Sequence, residues 1–90
     1  MFNVNISVED NNILGSFIAD SYFFEPSKYD YAFYLYKDGE KIETKWYTDN
    51  MKAEFLIEDF DGVFHIKAFV RDKAHGNKRT FDSGKISIDS

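Results

Sequence analysis

The chain has no cysteine, one proline, one tryptophan and only five glycines. Without cysteine there is no disulfide, no thiolate metal site and no thiol nucleophile. With so few glycines, spread along the chain, there is no glycine-rich loop to cradle a phosphate. No apolar run approaches the roughly 20 residues of a membrane span. The opening residues Met1-Phe2-Asn3-Val4-Asn5 lack the basic start and apolar stretch of a secretory signal. Any export signal would lie outside this chain, and residues 1–90 are expected to be a single domain excised from a larger protein. Basic residues are also scarce, eleven against sixteen acidic, for a formal charge of −5. That balance repels phosphate backbones and anionic lipid, so neither nucleic acid nor membrane insertion is expected.

What the chain has in abundance is rings: ten Phe, six Tyr and one Trp in 90 residues. A chain of this length buries only about 60–65% of the surface its unfolded form exposes, so a stable core needs large side chains. Each aromatic can bury on the order of 150–250 Å². The composition therefore argues for one folded domain with one core.

Apolar residues recur with period two, which is the spacing of strands, not helices. Phe2, Val4, Ile6 and Val8 alternate with polar residues, and Glu9-Asp10-Asn11-Asn12 supplies a turn. A second strand runs from Ile13 to Ala19. The segment around Glu25-Pro26-Ser27-Lys28 is a loop, because Pro26 lacks the amide proton of a central strand. Tyr22, Phe23 and Phe24 on its approach are expected to fold down over one end of the core. Further along, Ala53, Phe55 and Ile57 alternate with charged residues, and Asp59-Phe60-Asp61-Gly62 turns the chain into a long central strand. That strand carries Phe64, Ile66, Ala68 and Val70 on one face and His65, Lys67, Phe69 and Arg71 on the other. His75-Gly76-Asn77 marks another turn. A last strand through Phe81, Ile86 and Ile88 is interrupted at Ser83-Gly84, a position for a bulge.

Asp38-Gly39, between two β-rich runs, is a two-residue hairpin signal in which glycine supplies the positive φ of a type I′ turn. Closing it between Lys37 and Glu40 pairs Leu35 with Ile42, Phe33 with Thr44 and Tyr31 with Trp46 on one face. Tyr36 then meets Lys41, and Tyr34 meets Glu43, on the other. This register predicts a shielded Trp46. Strands of regular spacing with no helix give an all-β fold, a two-sheet immunoglobulin-like sandwich of about seven antiparallel strands.

The run Tyr31-Ala32-Phe33-Tyr34-Leu35-Tyr36-Lys37-Asp38-Gly39, then Trp46, Phe55, Asp61-Gly62-Val63-Phe64 and Ile66-Lys67-Ala68-Phe69-Val70, resembles the three-tyrosine domain of bacterial two-component regulators. The resemblance covers roughly residues 30–88. It implies a fibronectin type III-like sandwich that connects or contacts other domains, in sensors or on surface proteins, and an extracytoplasmic location. It implies neither an enzyme nor a cofactor. One departure is Phe64, where the family carries a Tyr whose hydroxyl bonds back to the chain.

No catalytic constellation accompanies this pattern. His65 lies on a polar strand face and His75 in a turn, and no motif places a nucleophile beside either. Glu9, Asp10 and Asn11, like Asp59 and Asp61, lack the ligand spacing of a calcium loop and are explained by turn chemistry. The hairpin register instead gathers Tyr34, Tyr36, Tyr47 and Phe69 beside Lys41, Lys45, Lys67 and Arg71 on one outward sheet face. Tyrosine and lysine are good cross-strand neighbours on a solvated sheet, with lysine stems covering ring faces. The same residues also make a binding platform for a protein surface or, alternatively, for the apolar face of a sugar ring.

Overall fold

The computed structural model describes residues 2–20, 22–59 and 61–88, so Met1 and the Phe60 assigned to a turn lie outside the described residues. Period-two alternation becomes β1 (Phe2–Glu9), β2 (Asn12–Ala19), β3 (Tyr29–Lys37), β4 (Glu40–Thr48), β5 (Lys52–Leu56), β6 (Gly62–Asp72), β7 (Lys78–Asp82) and β8 (Ile86–Ile88). A 3-10 turn at Pro26–Lys28 leads into β3, with Pro26 at its first position, where no amide proton is needed. The strands form two antiparallel sheets, β1-β2-β5 and β4-β3-β6-β7, with β8 also on β6. Each sheet turns one apolar face inward, giving a sandwich-like all-β fold. Val4, Ile13, Phe17 and Phe55 of the smaller sheet meet Tyr31, Phe33, Leu35, Phe64, Ile66, Ala68 and Val70 of the larger.

The Asp38-Gly39 turn forms as expected, with φ of 51° and 83° at its two central residues. The expected pairs Lys37–Glu40 and Tyr36–Lys41 also form. Beyond them the register differs. A bulge at Ile42 sets Leu35 opposite Glu43, Tyr34 opposite Thr44 and Phe33 opposite Lys45, and a second irregularity sets Tyr31 opposite Thr48. Trp46 therefore leaves the face assigned to it and is 67% exposed, not shielded, while Ile42, left unpaired in the bulge, is itself 46% exposed. The physical reason is position. β4 is the outer strand of the wider sheet, and without burial on its inner face nothing penalises a one-residue slip. Bulges concentrate at such edges.

The interruption of the last strand is a bulge as well. β7 pairs Asp82 with Lys67, whereas β8 pairs Ile86 with Phe64, one residue out of step. Buried Ser83 bridges the step: its N–H donates to the Ile66 carbonyl, and its Oγ accepts the Ile66 N–H, both at 2.8 Å. A side chain thus replaces the ladder partner that the bulge removes.

Two other expectations are modified. Of the three rings before the loop only Phe24 packs on the core, stacked 4.9 Å from Tyr29. Tyr22 and Phe23 are 103% and 93% exposed. Phe64 is fully buried, and the hydroxyl tie to backbone is made elsewhere: Tyr31 Oη donates to the Pro26 carbonyl at 2.9 Å. Burial pushes the Tyr31 hydroxyl pKa up to about 12, with Tyr29 and Asp30 adding to the effect.

Candidate functional site

The outward face of the larger sheet is built by pairing β3 with β6. Tyr36 lies opposite His65, Tyr34 opposite Lys67, Ala32 opposite Phe69 and Asp30 opposite Arg71. Side chains on one face of directly paired strands stand close enough to touch, and they do. Tyr36 stacks on His65 with centroids 4.5 Å apart and planes within 7°. Tyr34 packs 4.7 Å from Phe69 and edge-on to Trp46 at 6.3 Å. Lys41 Nζ sits 4.3 Å above the Tyr34 ring, Lys67 Nζ 5.8 Å from that of Tyr36, and the Arg71 guanidinium 3.9 Å above that of Tyr47.

Seven of the eight nominated residues therefore share one continuous face: Tyr34, Tyr36, Lys41, Tyr47, Lys67, Phe69 and Arg71. Lys45 does not. The Ile42 bulge turns it to the other side of β4, where its Nζ lies 5.7 Å from the Phe55 ring of the smaller sheet. The same slip brings Trp46 onto the face in its stead. Trp46 and Tyr47, adjacent in sequence, both point outward, which strict alternation forbids. Two successive large rings after Lys45 are the one sequence signal for that irregularity.

Charge on this face is largely spoken for. Arg71 Nη2 is 3.1 Å from Asp30, and Lys73 bridges Asp30 at 3.9 Å and Asp49 at 2.9 Å. The Lys73 ammonium holds the Asp49 carboxyl below the usual carboxylate range. Burial raises the Tyr47 hydroxyl pKa, against the opposing pull of Arg71. Burial also lowers the His65 imidazole pKa from 6.5, so at neutral pH it stacks on Tyr36 as an uncharged ring. Cation–ring contacts at such partly exposed sites are worth about 0.5–1 kcal/mol each. Together they hold the ladder in one conformation. Trp46 is the exception, as the one strongly exposed ring of the face.

The remaining polar clusters have local roles. Asp59 accepts the Asp61 N–H at 3.1 Å and pairs with Lys37 at 2.9 Å. Asp72 accepts the Ala74 N–H at 2.7 Å and faces His75 Nδ1 at 3.2 Å. Both are turn-closing arrangements of the kind short acidic side chains favour. Among the described residues no three His, Asp or Glu side chains gather as a metal site would, and no helix is long and apolar enough to cross a membrane. Comparison with family models, with curated proteins and with solved structures finds no significant match to the chain.

Proposed function

We propose that this domain is a non-catalytic connector, a fibronectin type III-like module whose larger sheet contacts a neighbouring domain of its parent chain or another protein. The observation that carries the reading is the direction of the chain. Phe2 begins β1 at the end of the sandwich where β6 reaches Asp72, since Phe2 and Asp72 line the same cavity there. Ile88 ends β8 opposite Gly62, ten residues back along β6, about 33 Å at roughly 3.3 Å per residue. The long axis of the molecule is 42 Å. Chain entry and exit at opposite ends suit a spacer in a series of domains. The strand order supports the fibronectin-like assignment, with first, second and fifth strands in one sheet and third, sixth and seventh in the other. A surface location as in bacterial sensor or surface proteins accords with the three-tyrosine resemblance.

The contact face is the ladder around Trp46, Tyr34 and Phe69. Exposed Trp beside Tyr and Arg is the composition of protein-contact hot spots. A carbohydrate-binding role is the second reading, favoured by the exposed Trp46 ring. Against it, Lys41 and Arg71 already occupy the Tyr34 and Tyr47 ring faces on which a sugar would stack. The test compares amide NMR spectra of the isolated domain with those of the domain within its natural full-length chain. Shifts concentrated at Trp46, Tyr34 and Phe69, and lost on Trp46→Ser, are expected. An unchanged face would overturn the connector reading, and Trp46-dependent capture on a glycan array would replace it with the sugar-binding one.

A further inference from the structure

The sandwich interior does not close at the end where β1 begins and β6 meets β7. A cavity of about 180 Å³ opens there, lined by the rings of Phe2, Phe17, Phe24, Tyr29 and Phe81. These rings form one packed set, with Phe2–Phe24, Phe17–Phe81 and Phe24–Tyr29 centroids at 5.4, 5.3 and 4.9 Å. An apolar cavity of roughly 150 Å³ accommodates benzene, so this volume suits a single six-membered ring.

Its polar lining comes from Asp72, Asn77 and Arg79. Arg79 lies opposite Val70 and Phe81 opposite Ala68, on the core-facing side of β7. The Arg79 guanidinium stands 5.5 Å from the Phe2 ring and 5.4 Å from that of Phe81. Among the described residues no carboxylate lies within ion-pair distance of it. Asp72 is committed to its own turn, Oδ1 to the Ala74 N–H and Oδ2 to His75. The cavity thus combines an apolar slot of one ring's size with a single cation that rests on ring faces and has no carboxylate partner among the described residues.

We propose that this cavity binds a small aromatic carboxylate, its ring among the phenylalanines and its carboxylate on the Arg79 guanidinium. Arginine suits that second contact because its planar fork matches both carboxylate oxygens. The group could reach the cavity as a free acid or as the C-terminal phenylalanine of a peptide. The connector reading is not needed for this site, which opens at the sandwich end and not on the larger sheet's outer face.

The test is NMR titration with hydrocinnamate, its neutral amide, and a Gly-Gly-Phe peptide with free or amidated C-terminus. Saturable shifts of the Phe2, Phe17 and Phe81 ring protons are expected with the acids, about tenfold tighter than with the amides. Arg79→Gln should remove that preference while a cooperative thermal transition is kept, because Arg79 is exposed and its replacement loses only its contacts with the Phe2 and Phe81 rings. Tighter binding of the peptide acid than of hydrocinnamate assigns the source to a chain terminus, and the reverse assigns it to a free acid. No saturable shift at millimolar concentration, equal affinity for acid and amide, or unchanged acid affinity in Arg79→Gln would each overturn the proposal.

Discussion

At Gly15 the two sheets approach closely, and its replacement by alanine tests the packing directly. Gly15 pairs with Ile6 on one side and Ala53 on the other, and it has Ile66 of the opposite sheet across the core. A Cβ added there would stand 2.7 Å from Ile66 Cδ1 and 3.3 Å from Cγ2, where ordinary contacts run 3.4–4 Å. Ile66 is fully buried and held in the ladder by Ser83, so only its Cδ1 end is free to swing. Overpacking a core of this kind costs about 1–3 kcal/mol. Alanine returns about 0.4–1 kcal/mol by restricting the unfolded chain. Gly15→Ala should therefore destabilise by about 0.5–2 kcal/mol, at roughly 4–8 °C of melting temperature per kcal/mol. Ile66→Val alone should cost about 0.5–1.5 kcal/mol. In the double variant the missing Cδ1 makes room for the new methyl, so the losses should fall short of their sum by at least about 0.5 kcal/mol. Urea unfolding followed by circular dichroism and extrapolated linearly to water measures all four proteins. Gly15→Ala at or above wild-type stability, or losses that add within about 0.3 kcal/mol, would refute the close approach.

Two further outcomes follow from the hairpin and the corner. Trp46 fluorescence should be solvent-like and strongly quenched by acrylamide, and Trp46→Ala should change stability by less than about 0.5–1 kcal/mol; blue-shifted, protected emission would restore the shielded register. Tyr31→Phe should cost about 0.5–1.5 kcal/mol through the lost bond to Pro26. The folded-state pKa of Tyr31 is about 12 against 10.0 unfolded, so between those values the unfolded chain holds fewer protons. Stability should be unaffected by Tyr31 below pH 10 and fall as pH rises through that window, a fall that Tyr31→Phe reduces. An identical alkaline profile in the two proteins would show that the hydroxyl is not buried as described.

The residues that alone determine structure here are those whose neighbours in sequence settle their environment. Asp38-Gly39 closes a tight turn because one of them carries no side chain to resist positive φ, and this needs no knowledge of the rest of the fold. Phe64, Ile66, Ala68 and Val70 are legible as core because a strand with sheet neighbours on both sides must bury one face throughout. Five residues of the outward platform, Tyr34, Tyr36, Lys67, Phe69 and Arg71, follow from the same parity, since β3 and β6 are both held in register by their buried faces.

The fates of Lys45 and Trp46 were decided by tertiary structure, with the two successive rings after Lys45 as their one trace in the sequence. They lie on an edge strand whose inner side is not covered, so alternation carries no energetic penalty there and a bulge exchanges the two faces. The exposure of Tyr22 and Phe23 beside a packed Phe24 has the same origin, because three consecutive rings in a loop cannot all reach one core end. The aromatic cavity with Arg79 is the clearest case. Its walls come from β1, β2, β3, β6, β7 and the loop residues Phe24 and Asn77, spread from Phe2 to Phe81, and only the closing of two sheets brings them around one volume.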